Sequence, residues 1–219
     1  MRIVNLSDCN SIINQFLAEI RDKDFQQNRL LFRNNITRIG EMMAYEISKT
    51  LPYTSTNVQT PLGVAKVNLH DKDIVLATIL RAGLPFLQGF LNIYDNADAA
   101  YVSASRKFTN KDKTEIAVDV KYLVSPNLDD KTLIIADPML ATGESMELGY
   151  KAFITNGTPK RIHLASVIAT PQGLDYIAKI FPGDNTTLWC AAIDPKLNEH
   201  KYIVPGLGDA GDLCFGDKL

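Results

Sequence analysis

From residue 73 onward, short continuous apolar runs alternate with stretches whose apolar positions recur every three or four residues. The run Asp73-Ile-Val-Leu-Ala-Thr-Ile-Leu80 shows no polar alternation, as a strand covered on both faces requires. Ala100–Val102, Thr132–Ala136, Ile162–Ala169 and Thr187–Ile193 predict further strands. Between them, Leu84–Tyr94, Ser145–Thr155 and Gln172–Ile180 predict helices. Pro171 at a first helical position and Gly157 beyond a helix end mark two of the boundaries. Strands alternating with helices predict an α/β chain with a doubly wound, mostly parallel sheet.

The first fifty residues read differently. Ser7 and Asp8 offer capping oxygens ahead of Ile12, Ile13, Phe16, Leu17 and Ile20, which share one helical face. A second helical stripe carries Leu30, Leu31, Ile36, Ile39, Met42, Met43 and Ile47 and should stop before Pro52. Both stripes read as packing surface. Residues 53–71 then lose the helix formers, and Val58 to Leu69, broken by Pro61-Leu62-Gly63, predicts a hairpin serving as a small flap. The expected organisation is one domain over 1–219: helices in 1–50, a core sheet in 73–193 and a C-terminal hood in 194–219.

Composition narrows the function. A length of 219 residues suits a single α/β domain with its own core. Lys+Arg total 23 against 25 for Asp+Glu, a net charge of −2, which disfavours a nucleic-acid surface. Three cysteines, Cys9, Cys190 and Cys214, are an odd number with no CxxC, so neither a disulfide framework nor a thiolate zinc site is expected, and a reducing cytoplasm is. No apolar run reaches membrane-spanning length, and the opening MRIVNLSDCNS lacks the apolar stretch of a signal peptide. The three histidines form no HExxH.

Ligands of doubly wound sheets bind outside the carboxyl ends of the strands. Three loops there carry candidate chemistry. The first, Asp137-Pro-Met-Leu-Ala-Thr-Gly-Glu-Ser145, ends a buried strand with an acid and runs into a helix through small residues. Its N–H groups and the helix start would form an anion cradle, with Thr142 and Ser145 adding hydroxyls and Gly143 permitting close approach. An ordinary capped strand–helix turn is the competing reading. It is not GxxxxGK[ST], so P-loop ATP hydrolysis is not indicated. The second loop, Arg81-Ala-Gly83, places a guanidinium at the end of a buried strand, either salt-bridged or waiting for an anion. Two such loops on neighbouring strands suggest a ligand with two separate phosphate groups. The third is the glycine-rich tail. Gly206, Gly208 and Gly211 match GxGxxG literally, but too little chain follows for a dinucleotide-binding unit. A loop that lies flat against a planar ligand, with Asp209 and Asp212 at its rim, is the alternative to a floppy terminus.

The segments LRAGL at 80–84, DPMLATGxS at 137–145 and NEHxYIxPGLGDAGDxxFG at 198–216 together resemble the uracil phosphoribosyltransferase family, and the tail motif is the specific one. Arg21-Asp22, Phe32-Arg33, Gly40 and Tyr45-Glu46 resemble that family's N-terminal helices. The resemblance covers nearly the whole chain. It implies a type I phosphoribosyltransferase fold and transfer of ribose 5-phosphate from phosphoribosyl pyrophosphate (PRPP) to uracil, giving UMP and pyrophosphate. By the same resemblance, Asp137, Pro138, Met139, Leu140, Ala141, Thr142, Gly143, Glu144 and Ser145 would bind PRPP, with Asp137 on the ribose hydroxyls. Arg81 would contact pyrophosphate in a loop whose backbone is often strained, a strain that would suit Ala82 and Gly83. Arg106 would also reach PRPP. Ile203, Gly208, Asp209 and Ala210 would form the uracil pocket, with Asp209 also near PRPP. Asp137, Arg81 and Asp209 are the implied catalytic groups. Mg²⁺ is the implied cofactor, carried mainly by PRPP without a dedicated protein site. GTP binding and a homodimer or higher homo-oligomer are family expectations; no membrane partner is implied.

Two positions depart from the family pattern. Glu144 replaces a small residue, and its carboxylate should face away from the phosphates. The arm from Arg106 to Ile116 is longer than usual, and Lys107, Lys111 and Lys113 read as a solvated hairpin tip. Two other readings compete with the enzyme: a non-catalytic nucleotide-sensing protein on the same scaffold, and a phosphoribosyltransferase for another base.

Overall fold

The apolar runs become the central strands of an eight-stranded sheet in the computed structural model, which describes residues 1–108, 116–181 and 183–217. Side chains of 104–108 and 116–120 are outside that description. The strands are β1 (Arg2–Asn5), β4 (Ile74–Ile79), β5 (Asp98–Phe108), β6 (Ile116–Val124), β7 (Thr132–Ala136), β8 (Met139–Leu140), β9 (Arg161–Ala169) and β10 (Thr186–Ile193). Their order is β1-β10-β9-β7-β4-β5-β6, with β8 added alongside β9. Every pairing is parallel except β5 with β6. The doubly wound expectation therefore holds.

The helices cover both faces. On one lie α1 (Ile13–Arg21), α2 (Arg29–Ser48) and α3 (Gly83–Leu91), packed through Leu17, Ile20, Phe32, Ile36, Ile39 and Phe86. On the other lie α4 (Glu144–Phe153) and α5 (Pro171–Ile180), packed through Met146, Phe153, Leu174 and Ile177. Each fully buried Ile or Phe of this kind contributes on the order of 1.5–3 kcal/mol. Thr170 caps α5 by accepting from Gly173 N–H, and Pro171 begins the helix as its sequence position predicted.

The hairpin forms as expected, from β2 (Tyr53–Thr60) and β3 (Gly63–His70), and pairs with no other strand among the described residues. Three expectations change. Residues 2–5 are an edge strand beside β10, not helix: with its branched residues Ile3 and Val4 the segment gains a parallel ladder there. Ser7 and Asp8 do not cap α1; they belong to a short 3₁₀ turn capped by Asn5, and Ser7 Oγ donates to Ala191 O. The tail is not loop alone: β11 (Lys196–Leu197) pairs with β12 (Ile203–Val204), and α6 (Ala210–Phe215) follows.

Candidate active site

Each strand of the parallel core points its carboxyl end toward the same rim. There, a cleft of about 320 Å³ opens between the loop after β4, the loop after β7 and the hood. Arg81, Asp137, Met139, Ala141 and Ser145 line it from the sheet side. Ile203, Gly208, Asp209 and Ala210 line it from the hood. Residues far apart in sequence, expected to touch one ligand, thus share one cavity.

The loop after β7 is held by its backbone. Asp137 N–H donates to Ala165 O at 3.0 Å, and Ser166 Oγ donates to Asp137 O at 2.8 Å. Pro138 O accepts from both Val167 N–H and Ile168 N–H, and Thr170 Oγ1 donates to Ala141 O at 2.7 Å. Pro138 and Leu140 therefore support the loop without facing the cleft; Leu140 is core. Gly143 takes φ +85 at the start of α4, and a Cβ there would meet Tyr176 Cδ1 at 2.8 Å. A left-handed residue pressed against a ring is a place for glycine alone. Asp137 is 9% exposed as a residue, and burial of its carboxyl pushes the pKa up to about 7, partly offset by the Met139 N–H.

Thr142 and Glu144 line a neighbouring depression with Pro171, Tyr176 and Lys196, not the cleft. The Glu144 carboxylate lies 3.9 Å from Lys201 Nζ at the cleft mouth.

The loop after β4 is tied to β7 from inside: Thr78 Oγ1 donates to Ala136 O at 2.6 Å, and a Cβ on Gly83 would lie 1.9 Å from that hydroxyl. The peptide bond Leu80–Arg81 is cis. Arg81 Nη2 pairs with Asp212 Oδ1 at 2.8 Å, and Nη1 donates to Gly216 O at 3.3 Å. Asp209 caps α6 by accepting from Asp212 N–H at 3.0 Å. Arg33 Nη1 donates to Cys214 O at 2.7 Å and anchors the far end of that helix on α2.

Arg106 lies on β5 opposite Val118, and its side chain is outside the description, as is that of Lys107. Lys111 and Lys113 fall outside the described residues altogether. Sequence reasoning missed Ile79, Leu80, Ala82, Lys201, Tyr202 and Gly211 as lining residues. Lys201, Tyr202 and Gly211 lie inside the tail motif, so that motif was the available signal. Among the described residues no group of three or more His, Cys, Asp or Glu side chains could hold a metal ion. The acidic lining residues are Asp137 and Asp209, a donor pair suited to an ion that keeps most of its ligands from substrate and water.

A doubly wound sheet, an acid-led anion loop at the carboxyl end of β7 and a hood closing over it define a type I phosphoribosyltransferase. The chain belongs to the uracil phosphoribosyltransferase family, whose model matches residues 9–217. It is 55% identical over 219 residues to the uracil phosphoribosyltransferase of Porphyromonas gingivalis, covering 100% of both chains. It is 39% identical over 212 residues to that of Sulfolobus acidocaldarius, covering 94% of this chain and 96% of the relative. Among solved structures, the AQ2163 protein of Aquifex aeolicus matches with a TM-score of 0.84 at 29% identity, covering 98% of each chain.

Proposed function

We propose that this protein transfers ribose 5-phosphate from PRPP to uracil, forming UMP and pyrophosphate, and so serves pyrimidine salvage. The observation that carries the reading is the shared cleft: Asp137 and Ser145 from the phosphate loop, Arg81 from the second anion loop, and Ile203, Gly208, Asp209 and Ala210 from the hood all line it.

In the reaction, the bond from ribose C1 to a pyrophosphate oxygen breaks and a bond from C1 to uracil N1 forms. The N1 proton leaves to solvent or to the departing pyrophosphate. Loop N–H groups over 139–145 hold the 5-phosphate, with the hydroxyl of Ser145, which lines the cleft, as a further donor. Glu144 contributes its main chain only. Asp137, ionised, accepts from the ribose hydroxyls and steadies the positive charge that develops on the sugar. Arg81 and, from β5, Arg106 meet the pyrophosphate charge. Main-chain groups of Ile203, Gly208 and Ala210 read the pyrimidine edge. Mg²⁺ arriving with PRPP would neutralise the leaving group, and Asp137 and Asp209 are the residues that would hold it through its waters.

The chain acts as one unit over 1–219, with residues 194–219 as the uracil hood. A cytoplasmic homodimer or higher homo-oligomer completes the reading. Exposed Val58, Leu62, Val64 and Leu69 on the hairpin support association, since a two-stranded ribbon alone is marginal in water. GTP binding is carried over from the family as a property to assay.

The test is turnover of purified protein with uracil, PRPP and Mg²⁺, with cytosine, adenine and hypoxanthine as competing bases. Pyrophosphate release with uracil alone supports the proposal. Release only with a purine points to another base, and UMP binding without any release points to a nucleotide sensor.

A further inference from the structure

Arg21, the last residue of α1, lies outside the cleft, yet both terminal nitrogens of its guanidinium are engaged. Nη1 and Nη2 reach Asp194 Oδ2 and Oδ1 at 2.8 and 2.7 Å, a bidentate pair. Nη1 also donates to Gly206 O at 3.0 Å. Asp194 Oδ2 accepts in turn from Gly206 N–H at 2.8 Å. Both backbone polar groups of Gly206 are thus taken up by this one ion pair. Asp194 is itself fixed to the sheet, its N–H donating to Ala169 O at 2.8 Å. The pair is well shielded, with side-chain exposures of 24% and 6%.

Gly206 sits in the short turn between Ile203 and Gly208, both of which line the cleft. The other side of that turn is tied through β12 to β11. We infer that Arg21 and Asp194 are positioning residues for the nucleobase: they clamp Gly206 to the sheet and so set where the 203–208 wall stands. This inference rests on the uracil reading above. The phosphate loop does not hang on the clamp, because Asp137 is held by Ala165 and Ser166 of β9 and Ala141 by Thr170. Removing Arg21 leaves a buried carboxylate uncompensated and Gly206 O unpaired, so the wall should shift. Shifts of about 1 Å suffice for large kinetic losses.

Steady-state kinetics on the full chain test it. Arg21→Ala should raise KM for uracil about tenfold while KM for PRPP moves less than about threefold. Arg21→Lys should fall between wild type and alanine. Added guanidinium ion, but not sodium at equal ionic strength, should recover part of the loss in Arg21→Ala. Asp194→Asn, which keeps an acceptor for Gly206 N–H, should show the same uracil-weighted split if Arg21→Ala fails to fold. Equal losses toward uracil and PRPP, or an unchanged uracil KM in a folded variant, overturn the clamp. A wild-type protein with no uracil turnover overturns the underlying reading instead.

Discussion

Arg81 Nη2 lies 2.8 Å from Asp212 Oδ1, so the cation at the end of β4 is already engaged by the tail helix before any ligand arrives. The pair is partly exposed, at 39% and 30%, and such pairs contribute about 0–1 kcal/mol. A pyrophosphate competing for the same guanidinium must displace a weak partner. Asp212→Asn should therefore lower KM for PRPP by about two- to fivefold. Arg81→Ala, which removes the group that meets developing charge, should lower kcat/KM for PRPP by about 100-fold or more. Equal effects from both substitutions would show that Arg81 serves only to hold the tail.

Asp137 carries a pH signature. Its carboxyl ionises near 7 in the folded protein because burial opposes the charge, against about 3.9 in an unfolded chain. Between about pH 4 and 7 the unfolded state sheds a proton that the folded state keeps. Stability therefore falls as pH rises through that window and levels off above it. Catalysis runs the other way, since the ionised form is the one that accepts from ribose hydroxyls. The acid limb of kcat/KM should show an apparent pKa near 7. Asp137→Asn should abolish turnover yet melt higher than wild type at pH 8, with a gain of up to about 4 kcal/mol. An Asn variant less stable than wild type at pH 8 would mean that the site tolerates the charge.

Gly143 and Glu144 are neighbours with opposite expected sensitivities. Gly143→Ala forces a side chain into φ +85 and against Tyr176, so it should cost about 1–3 kcal/mol and weaken PRPP binding with it. Glu144→Gly removes only a side chain that points toward Lys201 and the neighbouring depression. PRPP binding by calorimetry should be weakened in the first variant and nearly unchanged in the second. Tighter PRPP binding in Glu144→Gly than in wild type would place that carboxylate among the phosphates.

The parallel core was legible because buried strands leave an unmistakable mark: β4, β7, β9 and β10 are near-continuous apolar runs. The loops that lead out of them stood out because each ends a buried run on an acid or an arginine, although a salt bridge such as Arg81–Asp212 was the competing use of that arginine. The elements that escaped lack a local signal. β1 is four residues long and earns its strand only from β10, seen nowhere in its own sequence. α6 starts on a cap, Asp209, inside a run of glycines that argues against helix. Lys201 and Tyr202 escaped as lining residues because they reach the cleft only after β11 and β12 fold the tail back. The Arg21–Asp194 clamp joins positions 173 residues apart, and no spacing rule connects them.

His163 gives the last prediction, on stability alone. It lies on β9 at 2% exposure, and its Nδ1 accepts from Trp189 Nε1–H at 3.1 Å. Burial, with Arg161 nearby, holds its pKa down to about 4, against about 6.5 when unfolded. The unfolded chain thus binds a proton between pH 6.5 and 4 that the folded protein refuses. The stability this represents is fully present above pH 6.5 and is lost as pH falls toward 4, a change of about 3 kcal/mol. Trp189 is the single tryptophan and is itself buried, so its fluorescence reports unfolding directly. In wild type this loss is superimposed on the opposite, Asp137-linked trend over the same window, so the comparison with a variant isolates it. In His163→Gln, which cannot take up the proton, the change in stability from pH 6.5 to 4, followed by urea unfolding, should be more favourable than in wild type by about that amount, whatever the variant's stability at neutral pH. Parallel curves for the two proteins would show that other groups govern acid unfolding.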